Sequence, residues 1–137
     1  MAVRVRLDTG DRLRIERIDC VVDCGQVVNP DIARAQIETG VVFALSAALY
    51  GKITLEGGAV VQGNFGDYRM LRASQTPEIR VEFIQSDADP GGLGELSTPP
   101  VAPAVCNAIF AASGRRVRKL PIMEALRDTR DDDAWRG

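Results

Sequence analysis

Residues 12–51, "RLRIERIDCVVDCGQVVNPDIARAQIETGVVFALSAALYG", change from a strand pattern to a helix pattern. The first part alternates apolar and charged residues and then becomes wholly apolar, which is typical of a strand that runs into the interior. Asn29 suits a helix N-cap, Pro30 its first turn and Asp31 its positive N-terminus, and Gly51 suits its end. The apolar stripe of this helix consists of Ile32, Ile37, Val41, Leu45 and Leu49. Because alanines cover much of the rest, we expect its second half to be buried.

The segments on either side complete an α+β pattern. The strand pattern "VRVRL" and the turn residues "DTGD" precede the strand pattern that begins at residue 12, so together they predict a hairpin. "KITLEGGAVVQG" predicts a second hairpin around Gly57 and Gly58. "EIRVEFI" alternates as a further strand. "PVAPAVCNAIFAASG" predicts a helix that Ser97 or Thr98 caps and Gly114 ends. The predicted fold is two hairpins and a further strand packed with two buried helices.

We expect one domain, residues 1–122, followed by a charged tail, residues 123–137. The net charge is −2 and the pI is near 5.2, so the electrostatics do not favour nucleic acid as a partner. No uninterrupted apolar run reaches the roughly eighteen residues that span a bilayer, and we predict no membrane partner. The sequence has no histidine, which excludes Ser/His/Asp and Cys/His hydrolases and histidine-ligated zinc within this chain.

Glu95 is a single acid in the flexible, largely apolar loop "GGLGELSTPP", residues 91–100. A carboxylate in such a loop can act as an acid-base group held away from bulk water. The same position suits an acid that only interacts with the N-terminus of the next helix. The residues alone leave both interpretations open, and the glycines of "GGLG" do not match a dinucleotide or phosphate-loop motif.

Gln36 is a second candidate, because it is a polar residue on a largely apolar helix. Its amide can hold a polar ligand through one donor and one acceptor, or it can satisfy a neighbouring backbone group. Glu38 lies on a different face, where it can equally be solvated. Asp23 and Asn29 lie beside the end of the buried strand, where short polar side chains usually tie a turn to its neighbours.

Three segments together resemble the C-terminal part of the molybdopterin-binding large subunit of the xanthine dehydrogenase and aldehyde oxidase family. They are "VVDCGQVVNPDIARAQIETG" at 21–40, "NFGDYRMLRASQTPEIRV" at 64–81 and "PGGLGELSTPPVAPAVCNAIFAASGRRVRKLPI" at 90–122. The ending G-E-x-x-T-P-P-x-A-P is similar to that of the isoquinoline 1-oxidoreductase type, in its beta subunit. The similarity extends over roughly residues 12–122.

The resemblance implies a molybdenum hydroxylase that oxidises an aldehyde or an N-heterocycle with oxygen taken from water. In that family the glutamate of this loop is the catalytic base, which deprotonates a hydroxyl on molybdenum, and Glu95 matches that position. A glutamine of the family contacts the pterin, and Gln36 occupies the corresponding place. Gly92 and Gly94 would lie in the segment that passes alongside the cofactor. No residue of this chain is expected to ligate the metal.

The resemblance also implies parts that lie outside these residues. The family's large subunit is several times longer, so we expect the remaining large-subunit segment to complete the site and this piece to be inactive without it. The expected cofactor is molybdenum-molybdopterin, in the cytidine dinucleotide form. Iron-sulfur clusters are expected only on a partner chain, a 2Fe-2S subunit. Nothing in the residues decides between cytoplasm and periplasm.

An alternative function belongs to a different class. A domain that retains the fold without catalysis would be a stand-alone binding or assembly module. It would form a homo-oligomer when isolated, because an apolar surface would be bare where the rest of a large subunit packs. A third interpretation, an unrelated α+β domain, would be favoured if the helix that carries Gln36 lay far from the 90–98 loop.

Overall fold

The computed structural model describes residues 1–8 and 12–128. Its strands are β1 (Ala2–Asp8), β2 (Arg12–Val22), β3 (Leu55–Glu56), β4 (Ala59–Val60) and β5 (Glu78–Phe83). Its helices are α1 (Pro30–Tyr50), α2 (Val101–Ser113) and α3 (Ile122–Ala125), with a 3-10 turn at Ala73–Gln75. Both predicted hairpins, the further strand and the two long helices are present, so the α+β fold class is confirmed.

The main sheet has the strand order β1-β2-β5. β1 and β2 form an antiparallel pair, whereas β2 and β5 run parallel from Arg17 opposite Glu78 to Val22 opposite Phe83. A parallel pair requires a long crossover connection, and here that connection contains α1 and the β3–β4 hairpin. The carboxyl ends of β2 and β5 therefore lie side by side, and each leads into a segment of the candidate site.

A β-bulge explains an irregularity in the apolar pattern of β2. Arg4 lies opposite Arg17 and Val5 opposite Ile15, so Glu16 is an extra residue on β2. The extra residue shifts the inward-facing positions of β2 from odd-numbered residues before the bulge to even-numbered residues after it. The inward-facing residues of β2 are consequently Leu13, Ile15, Ile18, Cys20 and Val22.

The core lies between one face of the sheet and the helices. Ile18 and Val81 of the sheet belong to the same buried cluster as Leu45 of α1 and Val105 of α2. The other face of the sheet is charged and includes an ion pair of Arg17 with Asp19 at 2.9 Å. One apolar and one polar sheet face is the usual arrangement for a sheet covered on one side.

The start of α1 follows the prediction. Asn29 is extended, and its side-chain oxygen accepts a hydrogen bond from the backbone N–H of Ile32 at 3.1 Å. Asp23 likewise accepts from the backbone N–H of Gly25 at 3.4 Å, so the predicted structural roles of both short polar residues are confirmed. At the other end, Gly51 caps the helix as predicted.

The predicted burial of the second half of α1 is correct on one side only. Val41, Leu45 and Leu49 are buried, but Phe43 is 66% exposed, and Ile32 of the predicted stripe is exposed as well. We call the exposed side the outer face of α1; it consists of Ile32, Gln36, Thr39, Phe43 and Ala47. α1 is long and apolar enough to cross a membrane, but core helices of globular domains commonly meet that criterion, and its buried side lies in the core here.

The prediction for the start of α2 is wrong. Neither Ser97 nor Thr98 caps it, since the N-cap is Pro100, which has no side-chain capping bond. Pro103 lies in the first turn, where its missing N–H costs no helical bond. Gly114 adopts a left-handed conformation with φ 75° and ends the helix as predicted.

Two regions lie outside the predicted arrangement. The β3–β4 hairpin belongs to an arm, residues 52–70, whose apolar side chains are largely exposed, including a fully exposed Phe65. The hairpin therefore does not pack into the core as expected.

At the C-terminal end, α3 brings Leu126 into the core at 1% exposure, so the packed part extends beyond residue 122. The rest of the predicted charged tail, residues 129–137, lies outside the described residues.

Candidate functional site

The structure brings Gln36 and the loop of Glu95 together. The side-chain Nε2 of Gln36 donates a hydrogen bond to the backbone oxygen of Gly94 at 3.1 Å, across 58 residues of sequence. Both residues are exposed, so the contact lies at the surface of the chain. The bond satisfies a neighbouring backbone group, which was one of the two interpretations of Gln36, and it places two separately recognised sequence segments in one site.

A second bond holds the same loop to α1 from inside. The hydroxyl of Ser97 donates to the backbone oxygen of Ile37 at 3.0 Å, and Ser97 is 4% exposed. Gly40 lies one turn further along α1, where a Cβ atom would be 2.2 Å from Ser97 Oγ. The close approach of loop and helix therefore requires glycine at position 40.

The chain that leads into the loop runs beside the end of β2. The backbone N–H of Gln26 donates to Ala88 O at 2.9 Å, and that of Gly91 donates to Cys24 O at 2.8 Å. Gly25 between them has φ 69°, and a Cβ atom there would be 2.1 Å from the oxygen of Asp89. These contacts fix the path of the backbone up to Gly91.

Glu95 projects from the surface of this chain. Its backbone oxygen accepts from the N–H of Thr98 at 3.0 Å, which closes a turn around it. Within the described part of the chain its carboxylate makes no ion pair or hydrogen bond. One interpretation of the loop was that it holds this carboxylate away from water; within this chain Gly94, Glu95 and Leu96 are all exposed.

Gly92 and Gly94 lie beside open space. A Cβ atom added to either would have no other atom within 4 Å. The backbone N–H groups of residues 92–96 also donate to no acceptor in the described ranges, although the loop is ordered by the contacts on either side. Free backbone donors beside two residues without side chains suit a polar ligand that approaches the backbone closely.

The described residues contain no cluster of three or more Cys, Asp or Glu side chains that could hold a metal ion. Cys20 and Cys24 are buried and Cys106 is half-buried, and all three are free thiols. Burial raises the pKa of the Cys20 and Cys106 thiols above their ordinary value of 9.0, so neither is an activated nucleophile.

Sequence reasoning missed the structural roles of Ser97, Gly40 and Gly25. Ser97 resembled a helix cap because it lies shortly before α2, whereas its actual partner, Ile37 O, is 60 residues away in sequence. A glycine in the interior of a helix, such as Gly40, often has a packing reason and was the available signal.

The fold and this surface define a class of cofactor-binding domain. The sequence profile of the molybdopterin cofactor-binding domain family matches residues 1–77, more than half of the chain. The chain belongs to this family, within the xanthine dehydrogenase group of molybdopterin-binding proteins.

The chain is similar to several individual proteins. It is 40% identical over 114 residues to the isoquinoline 1-oxidoreductase subunit beta of Brevundimonas diminuta, covering 83% of this chain and 15% of that protein. It is 41% identical over 110 residues to a membrane-bound aldehyde dehydrogenase [pyrroloquinoline-quinone] of Gluconacetobacter polyoxogenes, covering 80% of this chain and 14% of that protein. The chain thus spans about a seventh of the length of these relatives.

A solved structure shares the fold. The quinoline 2-oxidoreductase of Pseudomonas putida 86 superposes with a TM-score of 0.75 and 22% sequence identity, covering 88% of this chain and 17% of that one.

Proposed function

We propose that this chain forms one wall of the molybdopterin site of a molybdenum hydroxylase, an oxidoreductase, and that Glu95 is its catalytic base. Gln36, Gly92 and Gly94 line the cofactor side of that wall. The activity requires the rest of a molybdopterin-binding large subunit, because these residues provide no other side of a site.

The observation that carries the proposal is the hydrogen bond from Gln36 to Gly94. The two residues belong to separate segments that resemble the same family, and the fold places them in contact next to Glu95. An unrelated α+β domain would have no reason to bring these two segments together.

The described residues suggest how this wall works. The bound cofactor would supply the two-electron oxidation and the water-derived oxygen. The amides of residues 92–96 would donate to the polar edge of the pterin, and the missing side chains at Gly92 and Gly94 allow its close approach. The Oε1 atom of Gln36 remains as an acceptor beside them. A carboxylate oxygen of Glu95 would take a proton from the reacting group, which requires that the completed site cover it from water.

The wider assignments follow from the family and from the names of the relatives. The substrate would be an aldehyde or an N-heterocycle, since one relative is named for isoquinoline and another for aldehyde. The cytidine dinucleotide form of the cofactor and a 2Fe-2S partner subunit belong to the same proposal. The second relative's name specifies pyrroloquinoline quinone, but the family match of this chain favours molybdopterin.

The test is Glu95→Gln in an assembled enzyme. This chain would be co-expressed with polypeptides that supply the remaining large subunit and an iron-sulfur subunit. We expect turnover to fall by about 10² or more, because a general base contributes a factor of that order. Molybdenum content, measured by elemental analysis, should remain at the parent level, because Glu95 is not a metal ligand.

Glu38→Gln is the matched control, since Glu38 lies two positions from Gln36 and so on a different side of α1. It should retain parental turnover. A molybdenum-loaded Glu95→Gln enzyme with undiminished turnover would falsify the catalytic assignment.

A second candidate function is a non-catalytic binding or assembly module. It is favoured by the exposed apolar side chains, above all Phe43 and the fully exposed Phe65. Size-exclusion chromatography of a native extract distinguishes the two. A stable homo-oligomer without molybdenum would support the module, whereas a molybdenum-containing complex with a larger subunit would support the enzyme.

A further inference from the structure

The backbone on either side of Glu95 is tied to two consecutive residues of α1. Gly94 O accepts from the side chain of Gln36, and the hydroxyl of Ser97 donates to Ile37 O. Glu95 lies between these two ties and begins the turn that Thr98 N closes. We call these two hydrogen bonds the ties of the loop. The direction in which the Glu95 carboxylate projects therefore depends on the strength of the two ties.

The two ties differ in strength. The Gln36 contact is exposed, so water competes for both partners and the bond contributes little rigidity. The Ser97 hydroxyl is buried, where water cannot replace Ile37 O as its acceptor. Breaking its bond therefore leaves a buried donor unsatisfied. Ile37 O can accept it in addition to its helical partner, because a carbonyl oxygen has two lone pairs.

Gly40 makes the buried tie possible. A Cβ atom at position 40 would be 2.2 Å from Ser97 Oγ, whereas the next nearest atoms, Thr98 Oγ1 and Ser97 Cβ, would be 3.4 and 3.5 Å away. Only the hydroxyl oxygen is therefore in conflict with a side chain there. A methyl group at position 40 would force the hydroxyl to turn away from Ile37 O.

We propose that Ser97, seated against Gly40, is the positioning residue that sets where the Glu95 carboxylate projects. The part that concerns catalysis rests on the proposed function. The mechanical part, namely that the Ser97 bond holds the loop against α1, does not, because that bond exists in this chain whatever its activity. The exposed Gln36 tie is secondary and can be released when Gln36 engages a ligand.

The first test is hydrogen exchange in the full chain. Ser97→Ala should increase amide exchange at Thr98, whose N–H donates to Glu95 O, by about tenfold, because the buried Ser97 bond no longer holds this turn closed. Ser113→Ala is the matched control: Ser113 Oγ donates to the backbone oxygen of Ile109 at 2.8 Å, a hydroxyl-to-carbonyl bond at the end of α2. The control should leave exchange at Thr98 unchanged. Equal exchange in Ser97→Ala and parent would overturn the proposal.

The second test is the pair of positions 40 and 97. Gly40→Ala should increase exchange at Thr98 more than Ser97→Ala does, because it displaces the hydroxyl and leaves it buried without an acceptor. The double variant Gly40→Ala/Ser97→Ala should return to the level of Ser97→Ala alone, since the conflicting atom is gone. Additive effects of the two substitutions would contradict the described contact.

The third test uses the assembled enzyme. Ser97→Ala should lower kcat by about tenfold to a hundredfold with KM within about twofold, since a small misplacement of a catalytic group has that effect. A merely structural role would instead lower the amount of folded enzyme without changing kcat. If Glu95→Gln is inactive and Ser97→Ala retains full kcat, the positioning role is wrong and the proposed function stands. If Glu95→Gln is active, the proposed function fails, and the exchange results decide the mechanical part alone.

Discussion

Gly25 is the residue at which the path of the site loop is most sensitive to a side chain. It has φ 69°, and a Cβ atom would be 2.1 Å from Asp89 O. We predict that Gly25→Ala lowers the free energy of unfolding by at least about 2 kcal/mol, from the left-handed conformation and the clash together. Urea denaturation of the chain measures this loss.

Gly57→Ala is the control for the backbone conformation alone. Gly57 has φ 56°, but no atom lies within 4 Å of its Cβ position. It should cost only about 1 kcal/mol. Equal losses at the two positions would show that the chain at Asp89 moves away freely.

Residue roles were predictable where the partner is local. Asn29 and Gly114 act on their own helix ends, so the neighbouring sequence was sufficient. Ser97 was misassigned because a serine before a helix usually caps it, and only the fold shows that α1 supplies a buried acceptor instead. The apolar loop around Glu95 suggested a dry environment, but dryness depends on what lies over the loop rather than on its own residues.

At the scale of elements, an ion pair links the start of the arm to α3. Lys52 Nζ lies 2.7 and 2.8 Å from the two carboxylate oxygens of Glu124. The hydrogen bond from Lys52 holds the pKa of Glu124 below its ordinary value of 4.5. A carboxyl group whose pKa is lower in the folded chain adds stability above its unfolded pKa, and this contribution disappears as the pH falls through the folded pKa.

We therefore predict that Glu124→Gln lowers the urea midpoint slightly at pH 7 and not at all well below pH 4. The effect is small because both side chains are half exposed. Glu82→Gln, at an exposed position of β5, is the control and should leave the midpoint unchanged at pH 7. A difference between Glu124→Gln and parent that persists at acid pH would rule out the ion pair as its cause.

Which elements form was largely predictable, because the periods of 2 and 3.6 and the caps are local signals. How they pair was not. The parallel pairing of β2 and β5 depends on the crossover between them, and no local pattern specifies it. α1 is apolar on nearly all sides, so its sequence could not indicate that Phe43 faces outward.

For the whole molecule, the outer face of α1 predicts self-association of the isolated chain. Phe43 is 66% exposed, and Ile32 is also exposed. Large apolar side chains left exposed on a helix commonly mark an interface. We expect the average mass from sedimentation velocity to rise with concentration and Phe43→Ser to shift the chain towards monomer.

Leu120→Ser is the control for this experiment, since Leu120 is an exposed apolar residue beyond α2 that does not belong to the outer face. It should associate like the parent. A parent chain that stays monomeric over the whole concentration range would show that the outer face does not bind a second copy.

The fold class and the single core were predictable from composition and pattern, and the family from three separated segments. The extent of the core was not, because Leu126 lies after Pro121 in a stretch that leads directly into the charged end of the sequence. The exposure of the arm was also hidden, since its alternating residues look like an ordinary packed hairpin.

The parallel pairing of β2 with β5 also has a consequence for the rate of folding. Paired residues such as Arg17 and Glu78 lie about sixty positions apart, so the sheet can be completed only after a long stretch of chain has closed on itself. The contacts of residues 22–26 with the segment that leads into the site loop continue this pairing, so we expect them to form with it or later. During synthesis, β1, β2 and α1 can associate before β5 has been made. We therefore expect the surface around Glu95 to be among the last parts of the molecule to acquire its native structure, and a slow-folding variant to expose α1 to proteolysis before that surface exists.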